Sequence, residues 1–296
     1  MNRTACFAAV TLAAFVSVAC GSGPSTGAAP ARQEPFGTSF VGADLYPVVV
    51  SSELVVGENR FLVGLLDEDD APVADPAIEL GVSFYDLNGA EPAIAGTTDL
   101  SFLWTLKPRQ GLWAGEATFD RAGRWGAEIA VKGGGYDETL RTAFDVAKEG
   151  STPAIGAPAP ASDTPTAADV GELSEITTDD DPDPRFYSTS IADALRRHEP
   201  FVVVFATPKF CTSQVCGPTL DTVKTVSRDF PRLTFIHVEV YTNLDDPSNL
   251  QTVPAVEEWG LPTEPWVFVV DADGRVVAKY EGVVGKEELK AQLRHR

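Results

Sequence analysis

The feature that most constrains how this 296-residue chain can fold is a break in its middle. From residue 148 to 184 the sequence turns to Pro, Ala, Ser, Thr and Asp, with prolines at Pro153, Pro158, Pro160 and Pro165. Such a stretch buries too little apolar surface to fold by itself and reads as an extended linker. It divides the chain into two parts, each long enough to enclose its own core. Apolar residues make up 44% of the chain and charged residues 22%, the balance of a globular protein. The net charge of −20 argues against nucleic acid or an anionic membrane surface as partner, because phosphate binding needs clustered Lys and Arg. The acidic runs at 67–70 and 179–181 lack the alternating oxygen ligands and glycine of a calcium loop, and read as solubilising loops.

Residues 40–147 carry seven short apolar or alternating runs: Tyr46–Ser51, Phe61–Leu66, Ile78–Tyr85, Leu100–Leu106, Leu112–Phe119, Trp125–Val131 and Thr139–Val146. Gly, Pro, Asp and Asn separate them, and the turn at 120–123 suggests a hairpin. This pattern predicts an all-β sandwich, similar in general architecture to immunoglobulin-like domains. Trp104, Trp113 and Trp125 are expected in its core or at its rim. The stretch has no Cys and no His, and no cluster of catalytic residue types.

Residues 185–296 alternate strand and helix signals. Ser190 caps a short helix over Ile191–Arg197, and the continuous apolar run Phe201–Ala206 predicts a strand buried on both faces. A helix over Leu220–Phe230, a strand over Leu233–Val240 and a short helix over Val253–Trp259 follow. Strands Trp266–Asp271 and Val276–Glu281 flank the turn signal Ala272-Asp273-Gly274, and a helix over Glu287–Leu293 closes the chain. Three features agree with one family: the buried strand running into Phe210-Cys211, the pair Gly217-Pro218 early in the next helix, and Pro265 before the hairpin. On these the segment resembles the thioredoxin-like superfamily, in the neighbourhood of TlpA, Sco and peroxiredoxin proteins. The expected fold class is an α/β thioredoxin fold at the C-terminus, preceded by an all-β immunoglobulin-like sandwich.

Disulfide exchange needs a thiolate to attack and a second thiol to resolve the mixed disulfide. A helix N-terminus stabilises a negative sulfur through its unpaired amides and dipole, and Lys209 adds positive charge nearby. Cys211 is therefore expected as nucleophile and Cys216 as resolving thiol. The resemblance further implies that Pro265 is cis and that the backbone beside it, with Glu264, binds extended substrate peptide. The sequence departs from the family in several respects. The cysteines are five apart, where the family has Cys-x-x-Cys; within one helix their Cα atoms would lie roughly 8 to 9 Å apart, too far to bridge. Cys211 must then sit in a loop that folds back. Val204 replaces the family's buried carboxylate; Glu264 either takes over its role as proton acceptor or only raises the thiol pKa values. Gly217-Pro218 follows the second cysteine, and aligning Cys216-Gly217-Pro218 with the family would instead make Cys216 the nucleophile. Peroxiredoxin and Sco spacings fit only with one residue out of step. His237, mid-strand among apolar neighbours, is read as a structural histidine and not a ligand.

At the N-terminus, Arg3 and the apolar stretch Phe7–Ala19 read as a signal peptide over residues 1–19. Val16-Ser17-Val18-Ala19-Cys20 resembles the lipobox of bacterial lipoproteins, which implies lipid on Cys20. Residues 20–39 would form a flexible tether to the β domain at 40–147, followed by the linker at 148–184 and the C-terminal domain at 185–296. With Cys6 removed and Cys20 lipidated, Cys211 and Cys216 are left as the pair for an oxidising compartment. The function expected is an extracytoplasmic, membrane-tethered thiol-disulfide oxidoreductase acting on exported protein thiols, with no cofactor, no metal and no nucleic acid. A redox-inert binding protein with a structural disulfide, and Cu(I) handling by the two thiolates, stay open as alternatives.

Overall fold

Alternate burial along the first strands shows where the larger core lies. The computed structural model describes residues 36–37 and 44–294. Its first eight strands are β1 (Leu45–Val49), β2 (Gly57–Asp67), β3 (Pro72–Val73), β4 (Glu79–Asp86), β5 (Ala93–Leu106), β6 (Gln110–Phe119), β7 (Gly123–Gly133) and β8 (Tyr136–Val146). They form one sheet in the order β1-β2-β6-β5-β4-β7-β8, with β3 on β2. On β7 and β8 every second residue points inward, as the pleat requires: Trp125, Ala127, Ile129 and Val131, then Leu140 and Phe144. The inward faces meet in an aromatic cluster in which Phe84 packs edge-on against Phe61 and Phe119, at centroid distances of 5.0 and 5.4 Å. Trp113 is fully buried there, its indole N–H donating to the Ile78 carbonyl at 2.9 Å.

The sheet curls until its ends approach. Val55, just before β2, and Ala147, just after β8, form a parallel bridge. The turn comes from β5, 14 residues long, whose first half pairs with β4 and whose second half pairs with β6. Register shifts at Phe84/Tyr85 and at Trp104/Leu106 accompany it.

The second sheet contains β9 (Phe201–Phe205), β10 (Thr234–Val238), β13 (Trp266–Val270) and β14 (Val276–Glu281), in the order β10-β9-β13-β14. The β9–β10 pair is parallel and the other two are antiparallel. A two-stranded ribbon, β11 (Tyr241–Thr242) with β12 (Gln251–Thr252), stands apart. All five residues of β9 and of β13 are buried, because both faces are covered. Val202, Val204, Val267 and Val269 pack with α2 (Cys216–Ser227) and α4 (Lys286–Leu293). Phe201, Val203, Phe205 and Phe268 pack on the other face with α1 (Ile191–Arg196), α3 (Pro254–Glu258) and Trp259.

The two sheets meet at a seam that the sequence marks by three consecutive buried residues on β2 and on β6. Phe61 and Val63 face the curled sheet's interior, while Leu62, with Leu112 and Ala114 of β6, packs on Val283 just after β14. Arg60 clasps Glu288 of α4 with two hydrogen bonds, at 2.7 and 3.0 Å, and its guanidinium lies over the Tyr280 ring. Lys279 of β14 reaches Glu53 at 2.7 Å and the Thr152 hydroxyl at 2.8 Å. Burial would raise the Glu53 carboxyl, but bonds from Lys279 and Thr152 outweigh it and hold the group below its ordinary value. Residues 148–184 run between these elements: Ser151 and Thr152 donate to Glu53, Pro158 bridges Arg275, and Thr152, Ser162, Thr164 and Thr177 are buried.

Two expectations are corrected here. The first half is not an immunoglobulin-like sandwich of two separate sheets, because the exposed segment 93–99, which shows no apolar run, continues β5 and joins the halves into one sheet. Nor does the chain belong to an α/β class with a thioredoxin fold. Its described residues are predominantly β, and the four α-helices among them hold 6, 12, 5 and 8 residues against strands of up to 14. The alternation of apolar runs locates elements, but it does not say which kind dominates the packing.

Candidate functional site

The site lies where β9 ends. Ala206 and Thr207 continue the strand direction without a ladder, and the chain then makes two turns before α2 begins. In the first, the Cys211 N–H donates to the Thr207 carbonyl at 3.1 Å; in the second, the Gln214 N–H donates to the Cys211 carbonyl at 3.2 Å. Gln214 has φ of 60°, the left-handed conformation that closes the second turn. Cys211 therefore lies in a loop and Cys216 is the first residue of α2, so the separation calculated for a continuous helix does not apply.

Both cysteines are free thiols, and both are buried. Cys211 keeps 9% exposure while Cys216 has none. The Cys211 thiol is lowered to about 5, first by the hydrogen bond from Cys216, then by the Ser213 hydroxyl at 3.2 Å and the Val215 and Cys216 backbone at the helix mouth, against an opposing effect of burial. The Cys216 thiol is pushed far up, by the same shared hydrogen bond and by burial. The Thr207 backbone hydrogen-bonds the Cys216 sulfur and acts in the opposite direction. Of the two sulfurs, Cys211 is therefore the one that ionises first.

Pro265, preceded by a cis peptide bond, and Glu264 lie just before β13. Because Trp266 pairs with Phe205, Glu264 and Pro265 enter the sheet at the same end at which Ala206 and Thr207 leave it. Gly282, with φ of 66°, ties this edge to α2: its N–H donates to the Pro265 carbonyl at 2.8 Å and its carbonyl accepts from the Thr219 hydroxyl at 3.2 Å. The half-buried Glu264 carboxyl is raised by desolvation and by the Cys211 charge. Tyr241 of β11 completes the rim; its hydroxyl is raised by burial and then by Glu264 and both sulfurs, and its ring lies 6.5 Å from that of Phe210. Lys209 places its ammonium over the Phe210 ring, 5.4 Å from the centroid.

Beneath the site, His237 is fully committed. Its Nε2 is 3.0 Å from the Ala206 carbonyl and its Nδ1 is 2.8 Å from the Tyr187 hydroxyl. Donation from Nε2 to the carbonyl leaves Nδ1 to accept from Tyr187, and burial lowers the histidine so that it stays neutral. Among the described residues no three His, Cys, Asp or Glu side chains cluster as a metal site. No helix among them is long and apolar enough to cross a membrane. Cys20 and the signal-peptide segment lie outside the described residues.

The sequence singled out Cys211, Cys216, Glu264 and Pro265, and the fold gathers all four at one end of the second sheet. It missed Thr207, Ser213 and Tyr241. Thr207 carried a signal, since it directly follows a fully buried strand; Tyr241 carried none, because a two-residue ribbon has no period.

No protein-family model matches the chain, and no curated protein matches it. Among solved structures it is similar to a hypothetical protein, PH1083, from Pyrococcus horikoshii OT3, at 12% identity and a TM-score of 0.23, over 34% of this chain and 85% of that one. It is also similar to a superoxide reductase (neelaredoxin) from Ignicoccus hospitalis, at 11% identity and a TM-score of 0.23, over 38% and 89%. A third is the Lin-41 filamin domain, at 14% identity and a TM-score of 0.18, over 33% and 89%. Likeness of this size carries no argument about function. The resemblance to the thioredoxin-like superfamily does not hold, because strand predominates over helix among the described residues, with most of the strand in one large curled sheet. It rested on short motifs that this sequence meets only with altered spacing, and such motifs recur by chance.

Proposed function

We propose that the Cys211/Cys216 pair carries out thiol–disulfide exchange on exported protein thiols, in a chain tethered outside the cytoplasm by lipid on Cys20. The observation that carries this reading is a pair of free thiols at the mouth of a helix, Cys216 as its first residue and Cys211 in the turn before it, with Cys211 lowered and Cys216 raised. The tether rests on the sequence around Cys20 alone.

In the reducing direction, the Cys211 thiolate attacks a substrate disulfide; a Cys211–substrate bond forms and the other substrate sulfur leaves as a thiolate. Cys216 then gives its proton to the Glu264 carboxylate and attacks the Cys211 sulfur. The Cys211–Cys216 bond forms, the second substrate thiolate leaves, and the protein ends oxidised by two electrons. An extended peptide would lie along the rim at Thr263 and Glu264, before the buried Pro265, during the first step.

Insulin reduction by the full-length reduced protein tests the proposal. Wild type is expected to accelerate it, both Cys211→Ser and Cys216→Ser to abolish turnover, and Cys216→Ser alone to accumulate a mixed disulfide. Equal rates for wild type, both variants and buffer would overturn it.

A further inference from the structure

Among the described residues, the Thr207 hydroxyl is the buried side-chain oxygen left without a hydrogen-bond partner. Thr207 is fully buried, so no solvent compensates, and an orphaned hydroxyl costs free energy that valine of the same shape would not. It sits among the reacting groups. Its carbonyl holds the Cys211 N–H at 3.1 Å, and its backbone lies close enough to the Cys216 sulfur to act on that thiol. The backbone nitrogen and the hydroxyl of a threonine are both within two bonds of its Cα, so a sulfur that meets one is within a rotamer change of the other.

In the resting pair Cys216 is a hydrogen-bond donor, engaged to the Cys211 thiolate, and needs nothing from Thr207. That changes in the resolving step, when Cys216 loses its proton to Glu264 and becomes a buried anion. We infer that the Thr207 hydroxyl is held in reserve for this moment and donates to the Cys216 sulfur as it ionises and attacks Cys211. The inference rests on the exchange chemistry proposed above and assigns Thr207 to its second half only.

Ellman's reagent separates the halves. The Cys211 thiolate breaks the reagent's disulfide and releases one thionitrobenzoate; Cys216 then displaces the second from the Cys211 mixed disulfide. Thr207→Val is expected to leave the first release unchanged, to slow the second about ten-fold, the size of one hydrogen bond to a charged acceptor, and to leave Tm equal or raised. Thr207→Ser should restore the second rate, and Thr207→Ala substitutes for the valine variant if that one does not fold. A second release at wild-type rate in Thr207→Val or Thr207→Ala overturns the assignment of Thr207. Absence of the first release in the wild-type protein overturns the exchange reading and this inference together.

Discussion

At the scale of single residues the site depends on where one proton sits. Cys211 is lowered to about 5 and Cys216 is raised, by opposite ends of one hydrogen bond. Labelling of Cys211 by iodoacetamide should therefore be half-maximal near pH 5 and flat from pH 6.5 to 8, as read by mass spectrometry on the reduced protein; an ordinary thiol would be half-maximal near 8.5. The sign for stability follows from the same shift. A thiol whose folded value lies below its unfolded value stabilises the fold above the unfolded value, and loses that contribution as pH falls toward about 5. In urea unfolding, the margin of reduced wild type over Cys211→Ser should accordingly shrink between pH 8.5 and pH 5. Cysteine type and position made the pair legible in the sequence. The return of Cys211 to the helix mouth was legible only as a geometric requirement, because the turn at Gln214 uses a conformation that its residue type does not advertise.

At the scale of elements, β14 and its exit turn hold the molecule together. Val283 fills the seam between Leu62, Leu112 and Ala114, and Lys279 neutralises Glu53 from the same strand. Lys279→Met would leave a carboxylate buried at 7% side-chain exposure without its cation, at a cost of about 3 kcal/mol in denaturant unfolding of the full chain. Glu53→Gln together with Lys279→Met should recover most of that loss, since the uncompensated charge is gone. Strand positions were legible from period-two patterns on β7 and β8, and the double burial of β2 and β6 from their runs of apolar residues. The continuation of β5 through residues 93–99 was not, because an exposed segment of Ala, Gly and Thr carries no periodic signal when neither of its faces reaches a core.

At the scale of the whole molecule, composition suggested two bodies joined by a loose strap. Yet residues 148–184 donate hydrogen bonds to Glu53 and Glu239, bridge Arg275 and bury four hydroxyl side chains. Proline and acidic content describes what such a segment cannot do alone, not what neighbouring sheets can do with it. Limited proteolysis should consequently spare residues 151–178 under native conditions, with cleavage there appearing only in urea that also unfolds the chain. Early cleavage at this segment, with the sheets left folded, would show the packing to be marginal.

The seam also bears on inheritance. An ancestor could not have lent its sulfur-bearing half to a new carrier by simple recombination at the proline-rich middle. The severed piece would carry off an oily valine, a glutamate without Arg60 and a lysine without Glu53, and the donor would keep the matching scars. Division at this waist is therefore expected to cost both pieces their fold.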